Sequence, residues 1–260
     1  MDGRARTERD DLPCLWVLAG VLSYRLCDKG YDCENCDLYR ALGGGTRHDR
    51  LPVAAAASAG SVQDQVNAYV CRLVSESALR LDRAYSLGHF WIDDRDPKHP
   101  ILGLDGHAWR VLFPVDDVVL PKPGAWLKRG GPCGWIERRH AVIPLTAPVA
   151  GEVQAVNEAY RAALRARETS GSGDEWLLHL ESHEALDHLP DLLRGEQVLH
   201  WYLGQIQLLK HYLAEATAPV AGAQLGPTLH DGGAPAPDLE AVLGRERYQN
   251  LVDEIFYTQT

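Results

Sequence analysis

The sequence has 260 residues, and 45% of them are hydrophobic, which is enough to bury a core without help from disulfides. The formal net charge of −10 is opposite in sign to the basic face that nucleic acids and anionic membranes require. The charge therefore argues against nucleic-acid and membrane partners and leaves small molecules and other proteins.

The first apolar segment, from Leu12 to Leu22, is too short to span a bilayer, although its length suits the central part of a signal peptide. Asp10 and Asp11 directly precede it, and other acidic residues offset the nearby arginines. Because the positive flank of a signal peptide is missing, we predict a cytoplasmic protein.

Four of the six cysteines fall within the first forty residues, at Cys14, Cys27, Cys33 and Cys36, and predict a cysteine-rich N-terminal module over residues 1–45. Zinc or an iron-sulfur cluster needs four such ligands, so a metal site requires Cys14 to fold back onto the other three. Two alternatives stay open, a redox dithiol at Cys33 and Cys36 or unliganded reduced thiols.

Residues 46–84 contain a small-residue linker followed by apolar residues at helical spacing between Val62 and Leu81, including Val66, Val70 and Leu79. This pattern predicts a connecting helix that leads into the next domain.

From Tyr85 to about Leu180, short apolar runs alternate with Gly, Pro and Asp, which is typical of an all-β sandwich or barrel. One helix is predicted to interrupt the strands after Asn157. Residues 183–260 are predicted to form a C-terminal helical extension, with a long amphipathic helix from Gly195 and a last helix over about residues 238–256.

Three motifs within residues 85–182 resemble the glycine cleavage system H-protein family, whose members carry lipoate on a lysine. They are "YSLGHFWI" with His89 and Trp91, "LPKPGAWLKRGGPCGWIE" with Leu120, Pro121, Gly124 and Glu137, and "APVAGEVQAVNE" with Pro148, Gly151, Glu152 and Asn157. The resemblance implies a mainly β fold with flanking α-helices, in which the core is a lipoyl-domain-like barrel-sandwich hybrid.

In the family, the lipoyl lysine lies in a turn that reads Glu-Ser-x-Lys, and the same spacing from Glu137 leads to His140 in this chain. Lipoate on this position is not expected, because an acyl imidazole is hydrolytically labile whereas the carrier arm needs a durable amide. By the same register Lys122 and Lys128 belong to the preceding turn and strand, and neither would lie at the hairpin apex.

The tip formed by Arg138, Arg139 and His140 has two interpretations. It is either a solvated β-turn that remains after loss of the lysine, or an anion-binding or partner-docking surface that uses the arginine guanidinium groups and the histidine. Neither interpretation makes it catalytic.

Three hypotheses about function follow. The first is a non-enzymatic H-protein-like carrier or adaptor that binds proteins, with the glycine cleavage enzymes as candidates, and is not lipoylated. The second is a zinc, iron-sulfur or redox protein that uses the N-terminal cysteines. The third is a lipoyl carrier of glycine cleavage that uses another lysine.

Overall fold

The computed structural model describes residues 79–139, 141–165, 173–217 and 238–257, together with Cys36, Val66, Val70 and the strand residues at 230–231 and 234–235. The chain divides into two compact units, Ser77–Tyr202 with Pro237–Thr260, and Met1–Glu76 with Leu203–Ala236. The domain boundaries predicted at residues 45, 84 and 182 stay predictions.

In the described residues of the first of these units, ten short strands form two antiparallel sheets. A seven-stranded sheet has the order β10-β1-β2-β3-β9-β8-β5, and a three-stranded sheet has the order β4-β6-β7. The strands are β1 (Ala84–Ser86), β2 (Phe90–Asp93), β3 (Ile101–Leu104), β4 (Asp117–Val119), β5 (Trp126–Leu127), β6 (Pro132–Arg138), β7 (Ala141–Thr146), β8 (Gly151–Val156), β9 (Leu178–Glu181) and β10 (Leu192–Leu193).

Most of the predicted strands are confirmed, because the apolar runs of the sequence coincide with β2, β3, β4, β6, β7, β8 and β9. Side chains alternate between the two faces of a strand, and in β7 this places Ile143 and Leu145 in the core while Val142 and Pro144 face outward. The prediction of a mainly β fold with flanking helices is therefore confirmed.

Among the described residues, the α-helices with defined bounds are α1 (Gly106–Leu112), α2 (Glu158–Arg165), α3 (Glu196–Thr217), α4 (Leu239–Leu243) and α5 (Arg245–Phe256). The predicted helices after Asn157 and Gly195 are confirmed as α2 and α3. The last predicted helix is interrupted at Gly244, where φ is +77°, a backbone conformation that glycine adopts without steric cost.

Helix α1 corrects the expectation that a single helix interrupts the strands. Its first turn is capped by Asp105, whose side chain accepts a hydrogen bond of 2.8 Å from the Ala108 N–H. Strand β3 ends at Leu104 and α1 begins at Gly106, so the apolar pattern of the sequence shows no boundary between strand and helix. Asp105, a typical N-cap residue, was the sequence feature that could have indicated the start of the helix.

The cap residue also fixes a buried histidine. Nδ1 of His89 lies 2.7 Å from the second carboxylate oxygen of Asp105, and both side chains are buried. His89 has φ of +64°, which is uncommon for a residue with a Cβ atom, and its backbone carbonyl accepts the Asp105 N–H at 3.0 Å. The turn between β1 and β2 is therefore joined to the start of α1 by two hydrogen bonds.

The second buried histidine of this region is His107 in α1. Its ring stacks on His89 with centroids 5.4 Å apart and meets Tyr202 of α3 edge-on. Burial, reinforced by the neighbouring His89, lowers the pKa of His107 from 6.5 to about 3. His107 therefore stays neutral in the folded protein.

Before β1, the predicted connecting helix does not extend to Leu81, because residues 79–83 are not helical. Leu79 and Leu81 instead pack against a cluster formed by Tyr85, Trp91 and Val198. Earlier in the predicted helix, Val66 and Val70 are helical and buried.

Among the N-terminal cysteines, only Cys36 belongs to the described residues, and it is half-buried. Cys14, Cys27 and Cys33 lie outside them. The described part of the chain has no group of three or more His, Cys, Asp or Glu residues that could hold a metal ion, and the proposed cysteine site is therefore left as a prediction. Nor is any helix among the described residues long and apolar enough to cross a membrane.

The neutral state of buried His107 predicts acid sensitivity. The unfolded chain takes up a proton on this residue below pH 6.5 and the folded chain does so only near pH 3, so stability is complete above pH 6.5 and falls as the pH is lowered between these values. The slope for this one group is at most about 1.4 kcal/mol per pH unit. Urea unfolding at several pH values between 7 and 4 measures this slope of unfolding free energy against pH.

His107→Phe keeps an aromatic ring but cannot titrate, and is expected to flatten this part of the pH dependence. An unchanged slope in the Phe variant would show that other groups cause the acid sensitivity.

Candidate functional site

The hairpin of β6 and β7 carries the position that the family resemblance singles out. Arg138 pairs with Ala141 as the last pair of the ladder, so only positions 139 and 140 connect the two strands. Arg139 has φ of +50°, the left-handed conformation that tight two-residue hairpin turns use. His140 itself lies outside the described residues. The assignment of the family's lysine position to residue 140 stays a prediction.

Strand alternation turns the Arg138 side chain inward. Cys133, Ile136 and Arg138 are all buried on the core face of β6, whereas Trp135 and Glu137 are exposed on the other face. Only 2% of the Arg138 side chain is exposed. A buried guanidinium group is costly unless every donor finds a partner.

The first partners of Arg138 are backbone carbonyls at the end of α1. Its Nε donates to the carbonyl of Leu112 at 3.0 Å, and Nη2 donates to that of Phe113 at 3.4 Å. The last carbonyls of a helix lack intrahelical donors, so the guanidinium group caps this terminus.

Carboxylates from the C-terminal helices complete the environment of Arg138. Nη2 donates to Asp238 at 2.7 Å, and Nη1 donates to Glu240. The hydrogen bond from Arg138 holds the pKa of Glu240 below its ordinary value, so Glu240 is ionised at neutral pH.

Tyr248 of α5 also contacts the Arg138 guanidinium group, with the face of its ring. The Arg138 guanidinium carbon lies 4.3 Å from the centre of the Tyr248 ring, within the range of a cation–π interaction. The hydroxyl donates to the carbonyl of Val111 at 3.0 Å, and burial raises the pKa of Tyr248 to about 12. The phenol therefore remains a neutral donor.

Arg139, in the turn, is 44% exposed but engages the same two acids. Its Nη1 donates to Glu240 at 3.1 Å and its Nη2 donates to Asp238, while its backbone N–H donates to Asp116. We call Arg138, Arg139, Asp238 and Glu240 the Arg–acid cluster. Its two positive and two negative charges balance within one network.

These contacts correct part of each interpretation of the tip, and the partner-docking alternative stays a prediction. A solvated basic turn is wrong for Arg138, because its side chain is buried and donates four hydrogen bonds. An anion site built from the two arginines is also contradicted, because both guanidinium groups already pair with carboxylates. Asp238 and Glu240 lie about a hundred residues further along the chain, so no local sequence signal could have revealed them.

Lysine, the residue that could hold lipoate, is scarce in this chain. The whole sequence contains five, Lys29, Lys98, Lys122, Lys128 and Lys210, so none lies in the hairpin. Lys128 precedes β6 and is separated from the turn by the whole strand, whose length is roughly 20 Å. Lys122 lies in the turn before β5, where its carbonyl accepts the Ala125 N–H.

The outward face of the hairpin is unusually apolar, which sequence reasoning did not single out. Trp135 is 42% exposed and Val142 is 64% exposed, and Pro144, directly opposite Trp135, is exposed as well. The Trp135 indole N–H donates to Glu137 at 3.4 Å. Contiguous exposed apolar residues of this kind often mark interaction surfaces.

Comparison with known proteins gives the family. The family model described as "Glycine cleavage H-protein" matches residues 83–202. The glycine cleavage system H protein of Shewanella loihica is 31% identical over 112 residues, which are 43% of this chain and 86% of that protein. The chain belongs to the glycine cleavage H-protein family. The H protein of Bifidobacterium longum is 33% identical over 127 residues, 47% of this chain and 90% of that protein.

Other family members match more locally or by structure. The H protein of Methylobacillus flagellatus is 37% identical over 75 residues, 29% of this chain, and this chain covers 61% of that protein. The crystal structure of a glycine cleavage system H protein from Mycobacterium marinum aligns with a TM-score of 0.39 and 28% identity, covering 49% of this chain and 98% of that one.

The family match has a clear relation to the Arg–acid cluster. Arg138 and Arg139 lie within the matched residues 83–202, whereas Asp238 and Glu240 lie beyond them. The two halves of the network therefore come from the family region and from the part of the chain that follows it.

Replacing Arg138 tests the cluster. Arg138→Ala removes the buried donor to Asp238, Glu240 and the carbonyls at the end of α1, and we expect the unfolding free energy to fall by about 3–5 kcal/mol in urea titrations. Arg138→Lys keeps the charge but loses the planar fork, and a loss of about 2 kcal/mol is expected.

The matched control is Arg165→Ala, since Arg165 pairs with Asp117 at the surface, where loss of an ion pair costs much less than loss of a buried one. Because Arg138 lowers the pKa of Glu240, the Arg138–Glu240 pair stabilises the fold above the ordinary pKa of 4.5, and this stabilisation is lost as the pH falls further. The difference in unfolding free energy between the parent and Arg138→Ala should therefore become smaller as the pH falls below 4.5. Equal losses of unfolding free energy in Arg138→Ala and in the control would contradict the stabilising role of the Arg–acid cluster.

Proposed function

We propose that this chain is a non-catalytic H-protein-like adaptor with a barrel-sandwich, lipoyl-type core, which does not carry lipoate and acts by binding proteins. The observation that carries the proposal is the two-residue turn at positions 139–140, closed by the Arg138 and Ala141 pair. It supports the register in which the carrier lysine is replaced by His140.

The lysine distribution supports the same conclusion. An amide-linked arm needs a primary amine at the apex of a hairpin, and none of the five lysines is in this hairpin. Lys122 and Lys128 are exposed, but they lie in the segments before β5 and β6. A histidine ring has no amine that could form a durable amide. The third hypothesis, a carrier that uses another lysine, therefore has little structural support.

Protein partners are the expected ligands of an adaptor. The relatives are H proteins of the glycine cleavage system, and the enzymes of that system are the candidate partners. The outward hairpin face, with Trp135, Val142 and Pro144, offers the apolar centre that protein interfaces commonly bury. A cytoplasmic location stays part of the proposal.

Lipoylation is tested directly by intact mass. The chain and the Shewanella loihica H protein are each co-expressed with a lipoate-attaching enzyme and purified. We expect a lipoyl adduct on the control protein and none on this chain, because it lacks an amine in the turn. An adduct on any lysine of this chain would refute the non-carrier proposal, and peptide mapping would name the lysine.

Partner binding is tested with a pair of tryptophan variants. Trp135→Ser removes the largest side chain of the hairpin face, and we expect it to weaken binding to purified glycine cleavage enzymes by about tenfold or more in calorimetry. Trp126→Ser is the control, since Trp126 is 64% exposed on β5, which belongs to the other sheet. Equal effects of the two variants would contradict a role of the hairpin face.

A further inference from the structure

We propose that the outward hairpin face is a docking site for a basic segment of a partner protein, in which an arginine lies on the ring of Trp135 and pairs with Glu137. The inference rests on the proposed function and deepens it, because it gives the chemistry of the partner that this face binds. Trp135 and Glu137 are exposed on the same face of β6. They present an aromatic ring and a carboxylate together, and a guanidinium group can bind both.

The register of the three-stranded sheet shows what surrounds the two residues. Trp135 is paired with Val119 of β4 on one side and with Pro144 of β7 on the other, so the three side chains form an apolar row across the sheet. The next row of the same face contains Glu137, which is paired with Val142 of β7. The face therefore has an exposed apolar centre with a carboxylate directly next to it.

The indole of Trp135 and the carboxylate of Glu137 are in contact. The indole N–H donates to Oε1 of Glu137 at 3.4 Å, so the carboxylate lies at the edge of the ring and leaves the ring face open to a ligand. A cation within about 6 Å of the centre of a tryptophan ring is attracted by the ring electrons. An arginine that stacks on the ring can also reach the carboxylate with its planar fork of donors, whereas a lysine offers only a point charge.

Glu137 has no counter-charge among the described residues, where its one side-chain partner is the neutral indole. Asp117, which pairs with Glu137 in the ladder, already has Arg161 and Arg165 of α2 as partners. Arg139 in the turn is held by the two acids of the Arg–acid cluster. The hairpin face therefore carries an unbalanced negative charge beside its apolar row.

The charge of the whole chain favours the same kind of partner. The formal net charge of −10 attracts basic proteins over distances longer than a contact. Such attraction speeds the encounter, and the apolar row then supplies the area that the two proteins bury. A segment with arginine next to apolar residues matches both properties of the face.

A second exposed tryptophan provides a matched comparison within the chain. Trp126 is 64% exposed and is paired with Glu152 of β8, so it also has a glutamate beside it. Lys128 follows two residues later and is exposed as well. A cation that approaches Trp126 therefore meets a like charge, which the hairpin face does not present.

The experiment measures binding of three fluorescently labelled peptides to the full-length chain by fluorescence anisotropy. The peptides share the same leucine, glycine and serine residues and carry arginine, lysine or citrulline at two positions; citrulline keeps the shape of arginine without its charge. We expect the arginine peptide to bind at least about fivefold more tightly than the citrulline peptide, with the lysine peptide between them. Added salt should weaken binding of the arginine peptide and leave that of the citrulline peptide nearly unchanged.

Two variants of the hairpin face and two controls locate the binding site. Glu137→Gln removes the charge and Trp135→Ser removes the ring, and each is expected to reduce the preference for arginine over citrulline to within about twofold. Glu152→Gln and Trp126→Ser make the same chemical changes on the other sheet and should leave the preference unchanged. Thermal unfolding shows that each variant is folded.

Several outcomes would overturn the inference. Equal binding of the arginine and citrulline peptides, or no binding of either, would show that the face does not recognise a cation. An equal effect of Glu137→Gln and Glu152→Gln would show that the attraction is not located at the hairpin. Tighter binding of a matched glutamate peptide, or self-association of the chain that Trp135→Ser abolishes, would assign the face to an acidic partner or to a second copy. Lipoylation of the unaltered chain would refute the proposed function instead, and it is read from a different sample.

Discussion

The structure around the hairpin of β6 and β7 depends on one buried cation, the guanidinium group of Arg138. A guanidinium group taken out of water is tolerated only when its donors are satisfied and a counter-charge lies close. Arg138 meets both conditions by using the carbonyls at the end of α1, the acids Asp238 and Glu240, and the ring of Tyr248. Three elements that are far apart in sequence, the hairpin, α1 and the C-terminal helix pair, are therefore positioned by one side chain.

The direction of that side chain follows from the strand. Residue 138 has the same parity as Ile136, so it faces the core whatever its chemistry. A small side chain needs few partners there, whereas arginine needs several. In this chain the acids come from residues beyond the family match, so the C-terminal segment and the hairpin depend on each other for charge balance.

Much of the β region could be predicted from sequence because its information is local. Alternating apolar residues marked β6, β7 and β8, and the amphipathic stripe marked α3. The burial of Arg138 could not be predicted, because its partners are about a hundred residues away and a charged residue at a hairpin tip is ordinarily exposed. Helix α1 was missed because it directly follows an apolar strand, and the helical spacing of Leu79 was misleading because its side chain packs on a tertiary cluster.

Proline at position 144 gives the hairpin a further property. β7 is an outer strand of its sheet, and the ladder begins with the Arg138 and Ala141 pair, so the N–H groups of Val142 and Thr146 point away from β6. Pro144, midway between them, has no N–H to offer. A strand from another molecule would meet an interrupted row of N–H donors along the outer edge of β7. The interruption protects the apolar hairpin from edge-to-edge aggregation. The geometry therefore leaves the broad side of the hairpin, with its side chains, as the face available to the proposed protein partner, and disfavours backbone pairing along the outer edge of β7.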